Sequence, residues 1–171
     1  IKDEPVVIMG AGGLGHMALE VLRAMGGKGA IMVDIDAAKR KAAVEAGAVL
    51  FTNGDKPIHS SRTLRRALSY ATTFGALIAH RPEDPYLAEG GVMHEGELAA
   101  RLGLPGIPAA AEAIMAERDL TLAELTGGKI LLDMISSAQT LPALKRAKAK
   151  GVKAYASVNV HHLVLNENDV D

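Results

Sequence analysis

The chain has 171 residues, 49% of them hydrophobic, which is enough for one domain with a continuous core and short for two. Its 19 Lys and Arg stand against 20 Asp and Glu, so no sign dominates, and neither a nucleic-acid groove nor a polybasic membrane patch is expected. Cysteine is absent, which removes disulfides, thiolate nucleophiles and zinc-thiolate sites together and fits a reducing cytoplasm.

Taken in chain order, short β-branched runs alternate with longer helical patterns. The first segment, "IKDEPVV", is acidic where a signal peptide would be basic, and no apolar run approaches the roughly 20 residues that span a bilayer, so a soluble, cytoplasmic protein is expected. "PVVIMG" reads as the first strand, followed by a helix from about Leu14 to Met25 with Leu14, Ala18, Val21, Leu22 and Met25 on one stripe. "GAIMVDID" is the second strand, and "AAKRKAAVEAG" its helix, closed by Gly47. "AVLFTNGD" is the third strand. Ser60 or Ser61 caps the helix "RTLRRALSYATTF", whose Leu64, Ala67, Leu68 and Ala71 face one way while Arg62, Arg65 and Arg66 form its solvated side. "GALIAH" is the fourth strand. The section Arg81 to Pro108, broken by several Pro and Gly, reads as an elaborated loop, and a helix through "AAAEAIMAERDLTLAEL" succeeds it. "KILLDMI" is the fifth strand, with Ser136 and Ser137 behind it as helix caps; "AQTLPALKRAKAKG" is the next helix and "VKAYASVNVHHLVL" the sixth strand. Met9, Met17, Met25, Met32 and Met115 fall in apolar patterns and read as core filler.

Apolar strands alternating with helices predict a parallel sheet, because each parallel return needs a crossover and both strand faces end up buried. The expectation is one α/β domain over residues 1–171, built as a doubly wound, mostly parallel six-stranded Rossmann-like sheet in the order 3-2-1-4-5-6. The alternative is a partial (β/α) barrel-like arc with sequential order.

The stretch "VVIMGAGGLGHMALEVLRAMGG" places Gly10, Gly12 and Gly15 as G-x-G-x-x-G between a strand and a helix, with Gly13 inside the loop. The first glycine allows the tight turn, the second lets backbone approach a pyrophosphate, and the third lets helix and strand pack closely. Free amides at Gly12, Gly13 and Leu14 would meet the anion, helped by the helix dipole. Asp34 ends the second strand 19 positions after Gly15, close to the spacing of an acid that binds a ribose diol, so NAD is expected in preference to NADP. The competing reading is that the glycines serve packing alone.

Residues 1–47, through "IMVDIDAAKRKAAVEAGA", resemble the coenzyme domain of the zinc-dependent, medium-chain alcohol dehydrogenases. That resemblance implies NAD held by the glycine loop and Asp34, with Lys39 near the adenosine ribose. The dehydrogenase catalytic domain has no counterpart here.

Residues 48–171 are similar to the middle of a dihydroorotase, a (β/α)8-barrel metal hydrolase of the amidohydrolase class. The resemblance rests on "HRPEDPYLAEGGVMHEGELAARLGLPGIPAAAEAI" and "RAKAKGVKAYASVNVHHLVLNENDV". It implies a zinc site made by a His-x-His, a modified lysine, two further histidines and an aspartate. Only His80 matches a ligand; the next ligand histidine aligns to about Met134, and a catalytic zinc needs about three protein ligands. His80, Glu83, Asp84, His94, His161 and His162 are weighed as an improvised metal site and read instead as exposed or hydrogen-bonded groups; His161 and His162, adjacent on a strand, would point to opposite faces.

The two resemblances meet at "EAGAV" and imply an engineered chimera with neither active site complete: no catalytic residues, no metal, and no enzyme activity. A retained glycine loop would bind NAD weakly, with a dinucleotide as the only partner and no nucleic acid or membrane. The alternatives are a fold-testing or structural protein with no ligand and a residual metal-dependent amidohydrolase.

Overall fold

In the computed structural model, the described residues are 6–9, 30–33, 48–54, 56–73 and 75–169, with side chains from residue 50 onward. Strands β1 (Val6–Met9), β2 (Ala30–Val33) and β3 (Ala48–Thr52) lead into helix α1 (Ser61–Thr72) and strand β4 (Leu77–His80). Helix α2 (Pro85–Ala88), strand β5 (Met93–His94), helix α3 (Glu97–Leu102) and strand β6 (Gly106–Ile107) follow, so the section read as loop carries its own short elements. Helix α4 (Ala110–Thr126), strand β7 (Lys129–Leu132), a 3₁₀ turn (Ala138–Thr140), helix α5 (Leu141–Ala149), strand β8 (Ala154–Ala156) and helix α6 (Val160–Val164) complete the order.

The main sheet is parallel throughout and runs β1-β2-β3-β4-β7-β8; β5 and β6 form a separate parallel pair. Strand β4 pairs with β3, through Leu50 with Leu77 and Phe51 with Ile78. The doubly wound order, which needs the fourth strand beside the first, is therefore corrected to a sequential arc. The physical reason lies in the helices. Phe51, Ile78, Ile130 and Ala154 lie in one register row across β3, β4, β7 and β8. They share a single core with Leu64 and Leu68 of α1, Ala116 and Leu120 of α4, and Ala143 and Leu144 of α5. Helices α1, α4 and α5 thus cover the same face, whereas a doubly wound sheet divides its helices between two.

Local signals behave as the residues dictate. Ser60 Oγ accepts from the Thr63 amide at 3.3 Å and caps α1. Leu64, Leu68 and Ala71 are buried at helical spacing, and Arg62, Arg65 and Arg66 are exposed. Met115 is core. The sixth strand is shorter than its pattern: Asn159 Oδ1 accepts from the His161 amide at 3.0 Å and starts α6, so His161 and His162 lie on a helix rather than a strand. Among the described residues, no helix is long and apolar enough to cross a membrane.

Candidate functional site

In a parallel sheet the carboxyl ends of the strands gather the reactive groups. Here β3, β4, β7 and β8 are each followed directly by a polar residue: Asn53, Arg81, Asp133 and Ser157. Ser157 Oγ donates to Asp133 Oδ1 at 2.6 Å and accepts from the Met134 amide at 2.9 Å. Its backbone joins the same turn, with the Ser157 amide on the Leu132 carbonyl and the Ile135 amide on the Ser157 carbonyl, each at 3.0 Å. Met134, at the position aligned with a ligand histidine, has φ 54°, a left-handed conformation costly for a residue with a Cβ.

His80 is the last residue of β4 and has no side-chain exposure. Its Nε2 accepts from the Ile58 amide at 2.7 Å. A backbone N–H only donates, so the ring proton sits on Nδ1 and is donated to Asp119 Oδ2 at 2.5 Å. Asp119, on α4 and equally buried, takes two more bonds on Oδ1 from Arg118, from Nε at 2.9 Å and Nη2 at 2.7 Å. Arg118 Nη1 also donates to the carbonyls of Ile58 at 2.9 Å and His59 at 3.0 Å. A carboxylate is tolerated in this position only because charged and hydrogen-bonding partners replace water around it. Sequence reasoning found His80 and missed Arg118 and Asp119, whose one signal is the charged pair interrupting the apolar pattern of "IMAERDLTLAEL".

A second hub was also missed. Glu112, in the first turn of α4, accepts from the Ser136 amide at 2.7 Å, Ser136 Oγ at 2.8 Å, the Ser137 amide at 3.1 Å and Thr140 Oγ1 at 2.5 Å. Ser137 Oγ in turn accepts from the Gln139 amide at 3.2 Å, the capping role expected of it.

The remaining metal candidates stay apart. Glu83 accepts from Arg81 Nη2 at 2.9 Å; Asp84 caps α2 through the Tyr86 and Leu87 amides at 2.9 and 3.1 Å. His94 is exposed on β5, and His161 and His162 are exposed on α6. Among the described residues, no three His, Cys, Asp or Glu side chains come together in a way that could hold a metal ion. Gly10, Gly12, Gly13, Leu14, Gly15, Asp34 and Lys39, the residues assigned to a dinucleotide, lie outside the described residues.

A one-directional parallel arc with α1, α4 and α5 on one face and polar groups along its carboxyl edge defines a piece of a (β/α) barrel. The dihydropyrimidinase of Brevibacillus agri NCHU1002 superposes with a TM-score of 0.66 at 18% identity, over 96% of this chain and 40% of that one, a likeness of fold. The family model described as dihydro-orotase-like matches residues 21–140, and the chain belongs to that family. It is 43% identical to a dihydroorotase of Pelotomaculum thermopropionicum over 126 residues, 74% of this chain and 30% of the relative. A dihydroorotase of Anaeromyxobacter sp. strain K is 43% identical over 125 residues, 73% of this chain and 29% of the relative. The chain therefore spans about 30% of the length of these relatives.

These findings overturn the engineered dinucleotide-binding chimera. The family match begins at residue 21, inside the segment read as dehydrogenase-like, and runs across the expected seam without a break. The expectation of no enzyme is corrected as well, since the relatives carry the name of an enzyme.

Proposed function

We propose that this chain supplies the middle arc of an amidohydrolase-type barrel that opens a cyclic amide ring of the dihydroorotate or hydantoin kind. The observation that supports the reading is the dihydro-orotase-like match over residues 21–140 of a chain whose strands run in barrel order. In the reaction water adds to a ring carbonyl, the ring C–N bond breaks, the nitrogen takes up a proton, and an open-chain acid leaves.

The polar rim fits such a ring. Asp133, fixed by Ser157, offers a carboxylate to take the proton of the attacking water, and Arg81 offers a guanidinium to an anionic substituent. Asn53, whose Nδ2 donates to the Lys56 carbonyl at 3.0 Å, keeps its side-chain oxygen for a ring N–H. The family resemblance also implies zinc. The described residues do not fit that centre: both nitrogens of His80 are engaged, and Met134 stands where a second histidine is expected. No step is routed through a metal.

The test is incubation of the purified protein with dihydroorotate and, separately, with hydantoin, following the open-chain acid by chromatography. Ring opening above the buffer blank is expected for one of the two. A protein shown to be folded that opens neither ring would overturn the proposal.

A further inference from the structure

We infer that His80 is a buried latch for the segment Pro57–Ser60 and does not ligate a metal, although the family resemblance places a ligand at this position. The inference concerns this residue alone and stands apart from the hydrolytic reading.

Three observations carry it. The first is the use of the ring. In the tautomer with its proton on Nδ1, imidazole has one nitrogen lone pair, on Nε2, and the Ile58 amide occupies it at 2.7 Å. Taking a metal there leaves the Ile58 N–H without its acceptor; taking one on Nδ1 strips Asp119 of a partner where the carboxylate has no exposure.

The second is direction. Alternate residues of a strand share a face, and His80 is two positions from Ile78, a member of the core beneath the helices. His80 pairs in register with Leu132, a member of the same core. Its ring meets Asp119 of α4 and so lies in the helix-covered layer. Ala79 and Leu131, the neighbouring register pair, occupy the opposite parity, where a barrel's inner face lies.

The third is redundancy. Ile58 is held at both of its backbone polar groups, by His80 on the N–H and by Arg118 on the carbonyl, and Arg118 holds the next carbonyl, that of His59. Asp119 receives bonds from both of these residues and ties β4, α4 and the segment into one unit. The device explains why a histidine, an arginine and an aspartate are spent on a stretch without regular secondary structure of its own.

The experiment is nitrogen-15 NMR on the protein with labelled histidine, together with amide exchange, before and after one equivalent of zinc. The latch predicts a protonated Nδ1, a hydrogen-bonded Nε2, a protected Ile58 amide, and no change in any of them on adding zinc. Arg118→Lys, which keeps the charge but loses the forked geometry, should speed exchange at Ile58 and His59 about tenfold while leaving the His80 tautomer in place. A zinc-dependent shift of the His80 ring nitrogens with loss of Ile58 protection overturns the latch. Ring opening assayed on the same samples separates the two readings: a silent His80 with no ring opening sinks only the hydrolytic reading, and zinc taken up by His80 sinks only the latch.

Discussion

Asp119 Oδ2 and His80 Nδ1 are 2.5 Å apart across 39 positions of sequence, and neither side chain has any exposure. This contact fastens α4 to the carboxyl end of β4, and the same carboxylate holds the Arg118 guanidinium, whose Nη1 reaches the Ile58 and His59 carbonyls. Asp119→Ala would leave the Arg118 charge and the His80 donor without their acceptor. A loss of about 3–5 kcal/mol is expected, the cost of removing one partner from a buried pair. Urea unfolding checks it, and Asp119→Asn, which keeps an acceptor oxygen, should cost less. Equal stability of Asp119→Ala and the parent would remove the contact from any account of the fold.

Glu112 is the second such point, reached from the turn Ser136–Thr140 by two backbone amides and two hydroxyls. Glu112→Ala is expected to cost about 1–3 kcal/mol, chiefly from the half-buried Ser137 amide and the buried Thr140 hydroxyl left without a partner, since the exposed Ser136 donors can turn to water. The same variant should expose the Ser136 and Ser137 amides to exchange. Thermal unfolding and amide exchange, measured together, distinguish a local release of this turn from a general loosening.

Much of this fold is legible in the sequence, and what is not has physical causes. Leu64, Leu68 and Ala71 declare the buried stripe of α1 by spacing alone, and Ser60 declares its start, because both signals are local. The strand order is not local: a βα unit looks the same whether the next strand lands beside the last one or beside the first, so the sequence leaves both the arc and the doubly wound order open. Asp119 was hidden because an acid in a helix normally marks a solvated face, and its burial depends on a histidine on another element. The alternating apolar pattern of "SVNVHHLVL" promised a strand, and one Asn cap overrode it. Met134 stood out as the departure from the ligand pattern, but its left-handed backbone had no sequence signal, since glycine or asparagine is the usual occupant.

The pair β5 and β6 depends on glycines that leave room for close approach, Gly106 among them. A Cβ added at Gly106 would sit 2.5 Å from Glu95 Cα, a backbone atom directly after β5 that cannot swing aside as a side chain can. Gly106→Ala is expected to cost about 1–3 kcal/mol through that overlap. Gly103 gives the contrast: a Cβ there meets nothing within 4 Å, and the only penalty comes from φ 66°, about 1–2 kcal/mol. Amide exchange separates the mechanisms. Gly106→Ala should release the Val92 and Glu95 amides, which bond the Pro105 and Ile107 carbonyls, whereas Gly103→Ala should fray only the end of α3. Unchanged protection of Val92 and Glu95 in Gly106→Ala would mean that the pair stays closed and absorbs the overlap.

The turn after β7 joins strain to chemistry. Met134 holds φ 54° because Ser157 Oγ takes its amide and, through the same oxygen, presents its proton to Asp133 Oδ1 at 2.6 Å. Ser157→Ala removes both bonds, so Asp133 loses its orientation and the Met134 amide its acceptor. If Asp133 takes the proton of the attacking water, Asp133→Asn should lower ring opening about 10²-fold or more, the usual worth of a positioned general base. Ser157→Ala should fall between that variant and the parent, because the carboxylate remains but is no longer held. Met134→Gly tests the structural half separately: glycine adopts this backbone freely, so relief of about 1–2 kcal/mol of strain offsets the lost side-chain packing, and the protein should unfold within about 1 kcal/mol of the parent. Turnover of dihydroorotate or hydantoin and the unfolding midpoint are read on all three variants. Full activity in Asp133→Asn would take the carboxylate out of the reaction and leave the Ser157 bridge with a structural role only.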